Sequence, residues 1–163
     1  MVTAAPPRPF VLAEYVRWGD IDLAGIICYG AYLRFSELAE SEIFRAAGLP
    51  FSEMFERFDA WLPRKVMHAD FYAPARLDDR LRVVTYFSKL GRTSLTINCD
   101  MMNANATLLH AATHQVLVCV SRRDFKKMPL PHALRSALAP FALNTEAARA
   151  AAAQLYASSA SSP

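Results

Sequence analysis

Cysteine is scarce and unpaired in this sequence. There are three, Cys28, Cys99 and Cys119, widely spaced and with no C-x-x-C pair. That argues against a disulfide framework or a thiolate zinc site, and a reducing, cytoplasmic compartment is expected. No uninterrupted apolar run is long enough to cross a bilayer. Met1 to Pro9 has no apolar core of the secretory kind, so no signal segment is expected there. Charge of one sign is also in short supply. A net charge of +3 and a pI of about 8.9 suit a phosphorylated small molecule, but they fall short of the concentrated basic face that nucleic acid requires. The four histidines, His68, His110, His114 and His132, are scattered. His110 and His114 would share a helix face only if the valine-rich stretch around them were helical, so no metal pair is expected. No internal repeat is present.

What the chain does have is apolar residues, 53% of 163, enough for one globular domain with a sizeable core. An Ala/Pro-rich lead-in over 1–9 reads as flexible. The domain is expected over 10–140, and an Ala/Ser-rich tail over 141–163 forms a helix from Asn144 or Thr145 and then frays. Within the domain, Phe10 to Arg17 reads as a strand. From Gly30 to about Ala47 the pattern is helical, with Tyr32, Phe35, Ala39, Ile43, Ala46 and Ala47 in one apolar arc. Arg34, Glu37, Ser41 and Arg45 lie opposite, and Glu37 and Glu40 read as solvated helix charge. Gly48 and Pro50 end the helix, and Ser52 to Arg57 forms a short second one. Extended segments follow at Trp61 to Tyr72, Leu81 to Leu90, Ser94 to Met102 and Leu108 to Val120. Leu95, Ile97, Cys99 and Met101 alternate with polar neighbours, as on a sheet with one buried face. Val116 to Val120 is apolar throughout and reads as a central strand. A strand, a long helix and then a run of strands describe an α+β fold, the helix packed on an antiparallel sheet.

The segment Trp18-Gly19-Asp20-Ile21-Asp22-Leu23-Ala24-Gly25-Ile26-Ile27-Cys28-Tyr29-Gly30 carries the chemistry. It sets two carboxylates in a glycine-containing loop just ahead of a helix N-terminus. A carboxylate there can attack a carbonyl or activate water, while unpaired helix N–H groups stabilise a developing oxyanion. An acyl-transfer or hydrolysis site is the first reading. A loop that merely caps the helix is the alternative.

Three stretches in order add a resemblance: Asp20 to Tyr29 with Tyr32-Leu33, Tyr72-Ala73-Pro74-Ala75-Arg76-Leu77-Asp78-Asp79, and Gly91 to Leu95 with Val116 to Val120 and Pro129-Leu130-Pro131. Together they resemble the hotdog-fold acyl-CoA thioesterases, notably the 4-hydroxybenzoyl-CoA and Tol–Pal-associated branches, over Tyr15 to Pro131. The resemblance implies a hotdog fold, with a long central helix wrapped by a curved antiparallel sheet of about five strands. It also implies assembly as a homodimer or homotetramer, with the active site between subunits and an acyl tunnel beside the helix. The catalytic carboxylate falls on Asp22, and the backbone N–H near Tyr29 polarises the thioester carbonyl. Asp20 is its structural support. Gly25 allows close backbone approach to substrate. Gly30 stands where the Tol–Pal branch usually carries histidine, which moves the reading toward chemistry by aspartate alone.

Coenzyme A carries a 3′-phosphate and a pyrophosphate, so a basic rim is expected. Its candidates are Arg92, with Thr93 and Ser94 in one turn, and Arg122 and Arg123 after the last strand, near Lys126 and Lys127. The expected activity is hydrolysis of acyl-CoA to acid and CoA, with no cofactor beyond the CoA of the substrate. A hotdog enoyl-CoA hydratase or dehydratase is the competing enzyme, but it generally needs a histidine beside the acid. A non-catalytic acyl-CoA-binding protein is the third reading.

Overall fold

A computed structural model describes residues 5–159. The start of the lead-in, 1–4, and residues 160–163, the end of the tail expected to fray after a helix to about Tyr156, lie outside the described residues. The chain forms β1 (Phe10–Tyr15), α1 (Ala31–Ala46), α2 (Phe51–Arg57), β2 (Ala60–Trp61), β3 (Arg64–Phe71), β4 (Arg80–Leu90), β5 (Ser94–Met102), β6 (Leu109–Val118), β7 (Val120–Ser121), α3 (His132–Leu138) and α4 (Thr145–Ser159). Five strands make one antiparallel sheet in the order β1-β4-β5-β6-β3, and β2 pairs with β7 in a small separate ribbon. The long helix α1 lies against one face of the sheet, in the hotdog arrangement the resemblance implied.

The helix packs there because its apolar side chains recur every three or four residues. Tyr32, Phe35, Ala39, Ile43 and Phe44 are buried and meet Leu81, Val83, Phe87, Ile97, Cys99 and Leu117 from the sheet. The buried arc is rotated from the one expected. Ser36 and Glu40 are inside it, whereas Ala46 is exposed. Ser36 donates to the Tyr32 carbonyl and bonds the Thr113 hydroxyl at 3.1 Å, so its polarity is satisfied under the helix. Gly48, at φ 73°, takes the left-handed conformation that ends α1.

Three expectations need correction. Trp61 to Tyr72 is not one strand: it breaks at Leu62-Pro63, because Pro63 has no N–H to give a ladder, and β2 and β3 pair with different partners. The stretch Leu108 to Val120 likewise divides into β6 and β7. Val116 and Val118 sit on an interior strand but are only partly covered. Finally, α3 was not foreseen. Pro131 starts it and Leu134 and Leu138 bury its inner side, a spacing that was visible in the sequence.

The tail is better integrated than an appended helix. Asn144 caps α4 through its Oδ1, which accepts the Ala147 N–H at 2.8 Å. Ala148 and Ala152 are fully buried against Val84, Tyr86, Met102 and Ala106 on the outer sheet face. That cover explains why β5 alternates at its start but is buried on both sides from Asp100 to Met102. The lead-in is tied down as well, for the Arg8 N–H donates to the Pro140 carbonyl at 2.9 Å.

Candidate active site

The sheet delivers the D-x-D loop to one of its ends. β1 pairs with β4 up to Tyr15–Arg80, and Val16 continues the ladder with Asp78 and Asp79. The chain then turns across the sheet end to reach α1. Asp20 anchors this crossing. Its Oδ2 accepts the Arg17 N–H at 2.8 Å, its carbonyl accepts the Cys28 N–H at 2.7 Å, and Arg34 of α1 donates to both carboxylate oxygens. Burial by itself would raise the Asp20 pKa, but the Arg34 and Arg17 hydrogen bonds and the Arg34 charge outweigh it and hold the carboxyl below its usual range. Asp20 is therefore the ionised support expected of it. Arg34 is the partner that sequence reasoning placed on the solvent side of the helix.

Asp22 has a different setting. It is exposed, and its Oδ1 accepts the Ala24 N–H at 2.8 Å in a local turn closed by Gly25 N–H to the Asp22 carbonyl at 3.0 Å. Gly25, at φ 71°, adopts the conformation this turn demands. The other oxygen, Oδ2, has no hydrogen-bond donor among the described residues. Asp22 opens on a cavity of about 370 Å³ lined also by Ile26, Ile27, Tyr29, Tyr32, Phe71 and the Tyr72-Ala73-Pro74 segment. Its walls come from three parts of the chain: the loop, the first turn of α1 and the end of β3. The Ile27 N–H to Ala75 carbonyl bond, 2.9 Å, ties the loop to the far wall. Tyr32 and Phe71 meet with ring centroids 5.4 Å apart, and burial raises the Tyr32 phenol pKa.

The helix N-terminus faces this space. Gly30 is the cap residue, in helical conformation and with no side-chain cap. The Tyr29 and Gly30 N–H groups find no acceptor among the described residues, whereas the Ala31 N–H is taken by the Cys28 carbonyl at 2.9 Å. A carboxylate with one oxygen lacking a donor and Tyr29, whose N–H lacks an acceptor, thus line one apolar cavity, and the Gly30 N–H follows next in the chain. That is the set of groups an acyl substitution needs. Gly25 and Gly30 frame the cavity without lining it. A Cβ at position 30 would meet nothing within 4 Å, so glycine there is no steric requirement.

The basic candidates lie elsewhere. Arg92, Thr93 and Ser94 form the β4–β5 turn, and the Cys119 N–H bonds the Thr93 carbonyl at 2.9 Å. Arg122 stacks over Trp61 at 5.0 Å, and Arg123 is exposed beside it. All five residues are at the sheet end opposite Asp22. β4 alone, with 11 residues, separates the two ends by roughly 35 Å. Within one chain they do not meet the cavity.

Among the histidines, His68 and His114 stack at 5.0 Å on the outer sheet face, and His110 is buried. Glu40 is a correction: only 3% exposed, it pairs with Arg64 of β3, which also bonds Gln115. Among the described residues no group of three or more His, Cys, Asp or Glu side chains could hold a metal ion, and no helix is long and apolar enough to cross a membrane. Phe71 and Arg34 are site residues the sequence reading missed. Phe71 directly precedes the motif stretch that begins at Tyr72, but nothing local links Arg34 to Asp20.

A helix-wrapped sheet with a carboxylate loop at the helix start defines a hotdog-fold thioesterase. The family model described as the thioesterase-like superfamily matches residues 16–138, and the chain belongs to that family. An Escherichia coli protein named acyl-CoA thioester hydrolase YbgC is 33% identical over 119 residues, covering 73% of this chain and 87% of that protein. A Synechocystis protein named 1,4-dihydroxy-2-naphthoyl-CoA hydrolase is 25% identical over 129 residues, covering 79% and 94%. A thioesterase-superfamily structure from Jannaschia superposes with a TM-score of 0.75 at 23% identity, covering 88% of this chain and 99% of the other. The match to the family ends before α4 begins.

Proposed function

We propose that this thioesterase hydrolyses an acyl-CoA to a free acid and coenzyme A, with Asp22 as the reacting carboxylate. The observation that carries the reading is the Asp22 Oδ2, without a donor, in an aromatic-walled cavity beside the acceptor-less Tyr29 and Gly30 N–H groups. The similarity to the YbgC hydrolase and to the naphthoyl-CoA hydrolase supports a CoA ester as substrate.

The chemistry follows from a thioester's reactivity. Sulfur donates weakly into the carbonyl and thiolate leaves readily, so one carboxylate suffices. Oδ2 either bonds to the acyl carbon, expelling CoA thiolate and leaving a mixed anhydride for water to cleave, or takes a proton from the water that attacks. Both routes place negative charge on the carbonyl oxygen, where the Tyr29 and Gly30 N–H groups donate to it. Each such donor is worth about 10²–10³ in rate. Only water is consumed, so the reaction calls for no cofactor beyond the CoA of the substrate. Among the described residues no histidine lines the Asp22 cavity, which favours this over the hydratase reading.

A homodimer reconciles the cavity with the distant basic residues. β3 is an edge strand exposed along nearly its whole length, with Val66, Met67 and Phe71 open to solvent. Two copies joined by a two-fold axis through β3 pair antiparallel, since an isologous contact matches each residue with its mirror position. The Arg64 end of one copy then lies beside the Phe71 end of the other. Because Arg92, Arg122 and Arg123 share the Arg64 end, they approach the cavity of the second copy, where CoA phosphates need cations.

Free-thiol release from a panel of aromatic, short-chain and long-chain acyl-CoAs tests the reading. Turnover of at least one ester, lost in Asp22→Asn with the circular dichroism spectrum unchanged, is the expected result. No thiol release from any ester, or near-normal rates in Asp22→Asn, overturns it.

A further inference from the structure

The cavity wall opposite Asp22 is weakly held by packing. Tyr72 is 60% exposed, Pro74 is exposed and Ala73 is only partly covered. Beyond the Ile27–Ala75 bond, which holds its far end, the Tyr72-Ala73 part of this wall is tied by one residue of β6. The His110 carbonyl accepts the Tyr72 N–H at 2.9 Å and the Ala73 N–H at 3.2 Å. The His110 imidazole returns the contact, its Nδ1 lying 3.1 Å from the Ala73 carbonyl oxygen. Both backbone polar groups of Ala73 thus end on residue 110. A carbonyl can only accept, so Nδ1 carries the proton in this contact. The side chain is itself 4% exposed, which leaves it little freedom to swing away. Its other side borders a second cavity, lined by Asp79, Arg80, Asn103 and Leu108.

From this geometry we infer that His110 is a positioning residue for the acyl pocket, holding the Tyr72-Ala73-Pro74 wall at the distance from Asp22 that fits the acyl group. The inference rests on the Asp22 cavity being the acyl site. The His110 ring does not line the Asp22 cavity, so the role inferred for it is positional. Losing the tie leaves the Ala73 carbonyl without its donor and lets the wall drift. An acyl group large enough to touch Tyr72 and Pro74 then loses contacts it makes equally in ground and transition states, and such a loss appears in KM.

Two substitutions of similar size separate this role from a merely structural one. In His110→Asn the amide nitrogen falls near the Nδ1 position, whereas in His110→Gln it reaches toward Nε2. With an aromatic acyl-CoA, His110→Gln is expected to raise KM about tenfold, the equivalent of one lost hydrogen bond, with kcat within about threefold. His110→Asn restores KM to within about twofold of the parent. With acetyl-CoA, whose acyl group is too short to reach the wall, the KM values of all three proteins coincide. Equal KM values with the aromatic ester, equal loss in the Asn and Gln variants, or a loss of the same size with acetyl-CoA overturns the inference. Asp22→Asn, run alongside, tells the two failures apart. If it stays active the site assignment falls, and if it is dead while the His110 series is flat only the role of His110 falls.

Discussion

Arg34 and Asp20, 14 residues apart, form a two-pronged pair: Nε donates to Oδ1 at 2.9 Å while the second guanidinium nitrogen meets Oδ2. This pair fastens the first turn of α1 to the loop that carries Asp22. Arg34→Leu leaves Asp20 buried without its cation. Removing one partner of a buried pair costs about 3–5 kcal/mol, and the partly hydrated Arg34 brings the expected loss to about 2 kcal/mol. Thermal melts check the stability, and kcat/KM should fall together with it, because loop and helix lose their common register.

Acid should reverse that stabilisation. The folded-state pKa of Asp20 is lowered, so its contribution is present above the ordinary aspartate pKa of about 3.9 and is lost as pH falls through the folded value. The difference in Tm between the parent and Asp20→Asn should therefore close progressively below about pH 4. A difference that stays constant across that window refutes the linkage.

Glu40 has the opposite sign. Burial raises its pKa and the nearby Glu37 charge adds to this, while Arg64 pulls it back. Such a carboxyl favours the fold most below its unfolded pKa of about 4.3, and the benefit shrinks as pH rises through the folded value. Glu40→Gln is expected to be as stable as the parent or more so at pH 7, with the advantage gone below about pH 4. Arg64→Ala should do the reverse, losing about 2 kcal/mol at neutral pH and little in acid. Melts over pH 3.5–7.5 on the three proteins read both effects.

Asp100, 2% exposed, is bound by Arg149 through two hydrogen bonds of 2.7 and 3.0 Å, and the neighbouring Tyr86 phenol is pushed up to about 12, mainly by burial. Arg149→Ala should cost about 2 kcal/mol, the exposed side of Arg149 discounting the buried-pair figure, and release α4, so that limited proteolysis cuts within 145–159 before the rest of the chain. α4 and α1 lie on opposite faces of the sheet, so kcat/KM below the melting range should stay within about twofold. A large kinetic loss without proteolytic release would refute this separation.

Replacing Arg122 and Arg123 together by alanine is expected to raise KM for acyl-CoA about tenfold and to flatten its dependence on salt, with kcat little changed. The shift should shrink for an acyl thioester of pantetheine, which lacks the nucleotide phosphates. An unmoved KM removes these residues from CoA binding.

Much of the fold was legible because its signals are local. Period-2 alternation marked β5 from Ser94 to Met102, and the apolar repeat marked α1 to within a residue at either end. At the site, Asp22, Gly25 and Tyr29 share one loop, and its turn is closed by bonds between residues at most four apart. Such contacts are written in consecutive residues, and so the motif could be read without the fold.

The sequence by itself determined the α+β architecture and the carboxylate loop ahead of a helix. Tertiary structure alone decided who neutralises Asp20, that Glu40 is buried on Arg64, that Asp100 waits for Arg149, and that Ala73 hangs on His110. It also decided that the basic residues lie at the sheet end away from Asp22. The physical reason is common to all of these. Each joins residues from 14 to 49 positions apart, brought together by strand pairing and by helices docking on the sheet. A charged side chain carries no local mark of whether its partner will be water or a buried ion.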